Sequence, residues 1–263
     1  MSIFKKRSKP ASKYGWFGNY NNWNELVALS DGYEASLILE KTKKSLLKIK
    51  NGDAIYERDS VLFDKKLYPF SIISALLYIA IDKNNSLNVI DFGGSLGSTY
   101  YQVRDFIPSN ISVNWNVVEQ NKYVTCGQEY FEDEILKFHY TIDDSIENIK
   151  PHVLLLSGVV QYLENPHEFL KMINQYEFDY ILIDRTAFIS GDLGDRLTLQ
   201  VVPPEIYEAK YPSWFFNEKK FLEHFSGYDI MVEFEPYVVG EQEIQIDGIV
   251  QGYDKGFFLV RKK

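Results

Sequence analysis

Two carboxylates set around a glycine turn carry the first chemical signal in this sequence. In 86-SLNVIDFGGSLGSTYYQ-102 an apolar run ends at Asp91, breaks at Gly93, Gly94, Ser95 and Gly97, and resumes in residues that suit a helix. Strand, glycine turn and helix in that order place backbone N–H groups and a positive helix end at the C-terminal edge of a sheet, where open α/β sheets bind ligands. The dinucleotide spacing G-x-G-x-x-G is absent. An acid two residues before the first glycine would repel a pyrophosphate but attract the ammonium and sulfonium of S-adenosylmethionine. Glu119, closing the next apolar run VNWNVVEQ and followed by Gln120, can accept both hydroxyls of an adenosine ribose. A nicotinamide dinucleotide would use the same group, so the choice of cofactor rests on Asp91. Asp143, after LKFHYTI, either faces the adenine amino group or caps a helix starting in 141-TIDDSIENI. Ser157 and Gly158 end the fourth apolar run near the expected methionine end of the cofactor.

Residues for the acceptor fall in the later loops. Methyl transfer is an in-line displacement in which holding the acceptor close and aligned supplies most of the acceleration. An alcohol acceptor gains typically about 100- to 10,000-fold more from a general base. Asp184, in 184-DRT-186 after the fifth run, is the first candidate base, with Arg185 beside it as an anion or hydroxyl contact; the alternative is a structural ion pair. His167 is the second candidate base, or a solvent-facing histidine. Gln161 and Tyr162 follow the fourth run. Glu57, Arg58 and Asp59 in YERDSVLF form either a substrate contact or a solvated helix start. Tyr207, Tyr211 and Trp214 in 203-PPEIYEAKYPSWFF-216 form an aromatic wall or ordinary core.

The elements that would position these residues are legible as alternation. The runs LNVIDF, VNWNVVEQ, LKFHYTI, HVLLLSGVV and FDYILIDRTAF, separated by helical patterns, predict an α/β fold: a Rossmann-like, doubly wound, mostly parallel sheet with helices on both faces. Asn165, Pro166 and Glu168 predict a helix start with a capping box. YDIMVEFEPYV, EIQI, an Asp247-Gly248 turn and GFFLVRKK predict antiparallel C-terminal strands. Residues 14–84 read as a helical N-terminal cap or lid, with breaks at FGNYNNW, SDGY and KNGD. Residues 85–263 read as the main domain, and residues 1–13 as a flexible basic tail carrying Lys5, Lys6, Arg7, Lys9 and Lys13.

The 263 residues, 45% apolar and 16% aromatic, suffice for one substantial core. Net charge is −9, and the body without its basic tail is more acidic still, which argues against nucleic acid as a partner. Cys126 is the single cysteine, and no apolar segment of signal-peptide type follows the basic start, so a cytoplasmic location is expected. The longest apolar run, 70-FSIISALLYIAI-81, is too short for a bilayer span and predicts a buried helix, so no membrane insertion is expected. The histidines at 139, 152, 167 and 224 show no ligand spacing, and no metal site is expected.

With these residues in place, the sequence resembles the class I S-adenosylmethionine-dependent methyltransferases. It is most similar to a methyltransferase family found among bacterial surface-polysaccharide biosynthesis genes. The resemblance runs through WFGNYNNW, YERDSVLFD, LNVIDFGGSLGSTYYQ, WNVVEQ, LLLSGVVQYLENP, ILIDRTAF and VPPEIYEAKYPSWFF. It implies S-adenosylmethionine as cofactor, with the class motif on Asp91, Gly93 and Gly97 and the ribose acid at Glu119. Ser95 stands where the class has its middle glycine. The resemblance also implies methyl transfer to a sugar, a nucleotide-sugar or a glycan-linked acceptor such as a phosphoramidate. Two other expectations stay open: a nicotinamide-dependent oxidoreductase or epimerase on the same kind of sheet, and a non-catalytic scaffold that keeps the fold.

Overall fold

The computed structural model describes residues 13–30, 35–147, 149–238 and 240–263. Apart from Lys13, the basic tail expected at residues 1–13 lies outside the described residues, as do residues 31–33 of the SDGY break. In chain order come β1 (Gly15–Tyr20), α1 (Trp23–Val27), α2 (Ala35–Asn51), the hairpin β2 (Tyr56–Arg58) and β3 (Val61–Phe63), and α3 (Phe70–Asp82). An alternating stretch follows: β4 (Ser86–Phe92), α4 (Ser98–Val103), β5 (Ser112–Val118), α5 (Asn121–Tyr130), β6 (Leu136–His139), α6 (Ile142–Ile146), β7 (Val153–Ser157), α7 (Pro166–Ile173) and β8 (Tyr180–Ile189). Next are β9 (Arg196–Val202), β10 (Ala209–Phe215), α8 (Glu218–Glu223), β11 (Tyr228–Phe234), β12 (Ile244–Ile246) and β13 (Ile249–Arg261).

The main sheet has the order β10-β9-β1-β12-β13-β8-β7-β4-β5-β6, with β11 paired to β13. From β8 to β6 every pairing is parallel. β4 lies between β5 and β7, so the crossovers leave it in opposite directions, and a crevice opens at the C-terminal ends of β4 and β7. This is a Rossmann-like, doubly wound α/β fold, with the expected antiparallel strands in the C-terminal part: β13 runs antiparallel to β8, β11 and β12.

Two-residue periodicity sorts the parallel strands into two cores. Leu87 and Val89 of β4, Val153 and Leu155 of β7, and Tyr180 and Leu182 of β8 pack beneath α2, α3, α4 and α5. The intervening Ile90, Leu154, Leu156, Ile181 and Ile183 pack beneath α7 and α8. The run 70–81 is a helix buried on one face: Ile72, Ile73, Leu76 and Ile79 of α3 lie in the first core, whereas Phe70, Tyr78 and Ile81 are exposed.

The structure departs from the sequence expectations at four places. Residues 14–84 are not simply a helical cap, because β1 joins the main sheet between β9 and β12. Trp16 packs edge-on against Phe215, and the turn residue Asp247 bonds twice to one edge of β1, through Asp247 N to Trp16 O (3.0 Å) and Gly18 N to Asp247 Oδ1 (2.9 Å). Residues 56–63 form a hairpin rather than a helix start; its turn residues Asp59 and Ser60 have φ of 51° and 68°, as a two-residue primed turn requires. The expected fifth strand does not stop at 184-DRT-186 but continues to Ile189, because β13 supplies a pairing partner along that length. At α7, Pro166 occupies the first turn as expected, but Asn165 makes no side-chain cap bond and the capping box does not form.

Leu155 is fully buried at the centre of the parallel segment. Leu155→Ala should lower unfolding stability by about 2–5 kcal/mol, read as a shift of the urea midpoint with unchanged slope.

Candidate functional site

The loop after β4 is built around its acid. Asp91 is buried, 1% exposed, and its Oδ2 accepts from the Trp115 indole Nε1–H at 3.0 Å, while Oδ1 has no partner. A Cβ on Gly94 would lie 2.5 Å from the Asp91 carboxyl carbon, so the loop folds directly over that carboxylate. Gly93 (φ 71°) faces the Val159 side chain at a distance that no Cβ would tolerate, and Gly97 (φ 89°) precedes α4. Ser95 adopts φ 55°, the left-handed conformation a glycine would take freely. Its N–H donates to Glu119 Oε1 at 3.3 Å, and Gln120 N donates to Oε2 at 2.7 Å. Glu119 thus ties the end of β5 to the turn after β4. Burial pushes both Asp91 and Glu119 up to about 7.

A second group of residues gathers at the ends of β7 and β8. Between β8 and β13 the register slips, so Asp184 and Arg185 face the single residue Gly256 as a bulge. Arg185 takes φ 45°, a costly conformation for a side chain branching into a packed site. Its guanidinium lies against Gly158, where a Cβ would come within 3.3 Å of Nη2. It sits 3.8 Å from Asp184 and 3.5 Å from Asp59 at the hairpin turn. Burial works against its charge, but Asp59, Tyr237, Glu241 and Asp184 outweigh that cost and hold it protonated.

Asp184 is buried and accepts from Ser157 Oγ at 2.9 Å. Burial raises its pKa against the pull of Arg185 and Ser157. Its Oδ2 lies between Ser157 Oγ and the Arg185 guanidinium, which places it to position Arg185. Gln161, in the turn after β7, donates to Arg185 O at 3.0 Å and keeps a buried Oε1 without partner.

Two segments cover this group. The β2–β3 hairpin brings Glu57, 3% exposed, whose Oε1 accepts from Ser60 N at 2.7 Å and whose Oε2 has no partner. Burial pushes Glu57 up to about 7. The connection from β11 to β12 brings Tyr237 and Glu241; burial pushes Glu241 up to about 7, and its Oε2 is also buried without a partner. Asp254 of β13, whose N–H donates to Glu241 O at 2.8 Å, is raised well above the ordinary carboxylate range by burial and by Glu241. Gln102 of α4 holds both covers, donating to Glu57 O (3.0 Å) and accepting from Tyr237 OH (3.3 Å).

Of the residues expected from sequence, Asp91, Gly93, Gly94, Ser95, Gly97, Glu119 and Gln120 cluster at the first loop. Ser157, Gly158, Gln161, Asp184, Arg185, Glu57 and Arg58 meet at the second group, where Arg58 lies 3.5 Å from Asp59 and over the Phe63 ring. His167 does not join them: its ring nitrogens are bonded to Asp195 (2.5 Å) and His224 (2.8 Å). Asp143 is exposed and accepts from Tyr176 OH at 2.8 Å, and Thr141, not Asp143, caps α6. Trp214 is anchored to Leu163 O at 3.1 Å and, partly buried, packs against the second core. Tyr211 and Tyr162 meet edge to face at 5.4 Å, and Tyr162 OH donates to Gln200 at 3.0 Å. Glu241, Asp254, Tyr237 and Gln102 carried no signal in the sequence, since each lies in an ordinary-looking strand, helix or loop. Among the described residues no group of three or more His, Cys, Asp or Glu is arranged to hold a metal ion, and no helix is long and apolar enough to cross a membrane.

No protein-family model matches the chain, and no curated protein matches it. Solved structures of similar shape include the N-terminal domain of EvdMO1 determined with S-adenosylhomocysteine and D-fucose (10% identity, 88% of this chain and 97% of that one, TM-score 0.49). Another is the Burkholderia thailandensis 1,6-didemethyltoxoflavin-N1-methyltransferase (10% identity, 88% and 90%, TM-score 0.41). A third is CalS10, an amino pentose methyltransferase of Micromonospora echinaspora (9% identity, 75% and 92%, TM-score 0.44).

The raised carboxyls fix a sign for stability. With a folded value of about 7 against an ordinary 3.8, Asp91 keeps its proton longer when folded, so its contribution to stability is full below pH 3.8 and falls as pH rises to 7. Asp91→Asn keeps an acceptor for Trp115 and removes the titration. Chemical denaturation between pH 5 and pH 8 should therefore show a smaller loss of stability for the variant than for the unaltered protein.

Proposed function

We propose that the protein binds S-adenosylmethionine at the loop after β4 and transfers its methyl group to an oxygen of a small sugar-like acceptor held beside Arg185. The observation that carries this reading is the placement of buried polar atoms that lack partners. Among the described residues, those on Asp91, Tyr56, Glu57, Arg58, Gln161, Arg185 and Glu241 belong to the glycine loop or to the covered group at the ends of β7 and β8; Ser213 Oγ belongs to β10. Buried groups left unpaired cost about 1–3 kcal/mol each, so such a concentration fits a surface completed by ligands.

The residues of the loop suit the cofactor. Asp91 Oδ1 is an orphaned acceptor beneath the Gly94 turn, and a cation close by would bring the carboxyl back toward its ordinary ionisation. Glu119 would hold the ribose hydroxyls in exchange for its present bond to Ser95 N, and Ser157 and Gly158 would flank the methionine end. Asp143 would reach adenine only by releasing Tyr176. When bound, the cofactor supplies a methyl group already activated by the sulfonium. The protein's own part is to align the acceptor, exclude water and take a proton. Glu57 has the properties of a base, being buried, near neutrality and free at Oε2. Asp184, Gln161 and the bulge hold Arg185, whose guanidinium would position acceptor hydroxyls together with Arg58, Tyr162 and Tyr211. The sequence resemblance supports a sugar, nucleotide-sugar or glycan-linked acceptor in bacterial surface-polysaccharide synthesis, used in the cytoplasm.

Calorimetric titration tests this reading. S-adenosylhomocysteine should bind saturably, NAD(H) and NADP(H) should not, and Asp91→Ala should weaken S-adenosylhomocysteine by at least about tenfold, equivalent to about 1.4 kcal/mol. Affinity should also rise between pH 6 and pH 8 as Asp91 and Glu119 ionise. A folded, ligand-free protein that binds no S-adenosylhomocysteine would overturn the reading.

A further inference from the structure

Two guanidiniums converge on one oxygen at the turn of the β2–β3 hairpin. Arg58 Nε and Arg185 Nη1 each lie 3.5 Å from Asp59 Oδ2. Charge-assisted N–H···O bonds close to about 2.7–2.9 Å, so the turn carboxylate fully satisfies neither cation. Donors accordingly stay unspent: Arg58 Nε and Nη1 and Arg185 Nε are buried and make no hydrogen bond, although Asp184 Oδ2 stands 3.8 Å from the last of them. The two arginine side chains are only 14% and 17% exposed, whereas that of Asp59 is 49% exposed and can turn to water. Gln161 Nε2 is committed to Arg185 O, which leaves its buried Oε1 as an acceptor without a donor next to the same residue.

We infer that the part of the acceptor entering this recess carries an oxyanion, a carboxylate or a phosphate, which displaces the Asp59 carboxylate from between Arg58 and Arg185. This deepens the methyl-transfer reading and rests on it. A planar guanidinium offers paired N–H donors that match two oxygens of one anion, whereas Asp59, tethered at a left-handed turn position (φ 51°), presents a single oxygen to both cations. An oxyanion free of that tether has two or three oxygens to share and can come within hydrogen-bond range of both. With Asp59 turned outward, Arg58 and Arg185 set two positive charges against the one carboxyl of Asp184, which is already bonded to Ser157 Oγ. Burial holds Glu57 and Glu241 up to about 7 and Asp254 well above its ordinary range, so these carboxyls oppose an incoming anion far less than ordinary ones would. Gln161 Oε1 then accepts from a hydroxyl of the same molecule, so the class that fits is an acidic sugar rather than a bare anion.

The test compares glucuronate, glucose 6-phosphate and glucose, titrated at pH 7 into full-length protein saturated with S-adenosylhomocysteine. One of the two anions should bind at least about tenfold more tightly than glucose, and which of them does so tells carboxylate from phosphate. Arg58→Gln should abolish that preference. Asp59→Asn, whose side chain tolerates the left-handed turn, should tighten the favoured anion by about threefold or more, because the resident carboxylate no longer competes. A purely structural ion pair predicts the reverse, a loosened hairpin and weaker binding of all three sugars. Both variants should bind S-adenosylhomocysteine as the unaltered protein does, which reports that they are folded. Anion affinities no higher than that of glucose, no binding of either anion, an unchanged preference in Arg58→Gln, or an anion affinity in Asp59→Asn that is unchanged or lower overturns the inference and leaves the cofactor reading standing. Failure of S-adenosylhomocysteine to bind the unaltered protein overturns the cofactor reading, and the inference with it.

Discussion

A guanidinium buried among carboxylates at a strand bulge is the constraint around which this molecule is arranged. Arg185 is forced into a left-handed backbone conformation because β13 pairs with β8 on both sides of the slip and leaves Asp184 and Arg185 opposite one glycine. Straightening the strand would turn one of the two side chains to the other face. The bulge keeps both directed to the C-terminal edge of the sheet, and Ser157, Gly158 and Gln161 at the end of β7 then fit around them. The long β13, the turn after β7 and the two covering segments all meet at this position.

The glycine loop and the Arg185 group are joined through α4. This helix starts at Ser98, just after the loop, and its Gln102 holds the hairpin by one amide atom and the β11–β12 connection by the other. A rigid element therefore links the two halves of the site, and the covers rest on the glycine-loop side rather than only on the strands below. Carboxyls on both halves share one physical condition, burial, and this sets their ionisation more than any single neighbour does.

Local patterns made the parallel half of the fold legible. The five β-rich runs became β4 to β8 because their apolar residues alternate between two cores, and the glycine loop was visible because an acid and left-handed glycines are chemical requirements written in adjacent positions. β1 was not legible: GWFGNY is short, contains two glycines, and acquires its meaning only from β9 and β12. The bulge was equally hidden, since it arises from the register of a distant strand. His167 stood out from its place in the first turn of α7, but its partners Asp195 and His224 reach it from segments far along the chain. Glu241 and Asp254 read as ordinary acids because burial, not spacing, gives them their character.

The pairing of Trp16 with Ile246 has a consequence for how the chain is made. At ribosomal rates of about 5–20 residues per second, β1 waits on the order of ten seconds or more between its own emergence and that of β12. Until β9 emerges, an aromatic strand with both edges free has no native partner, and its second edge waits for β12, while the parallel core of β4 to β8 can already close behind it. The sheet extension is thus a late, long-range step, in which loop-closure entropy slows folding and a transiently exposed GWFGNY edge is open to pairing with other chains.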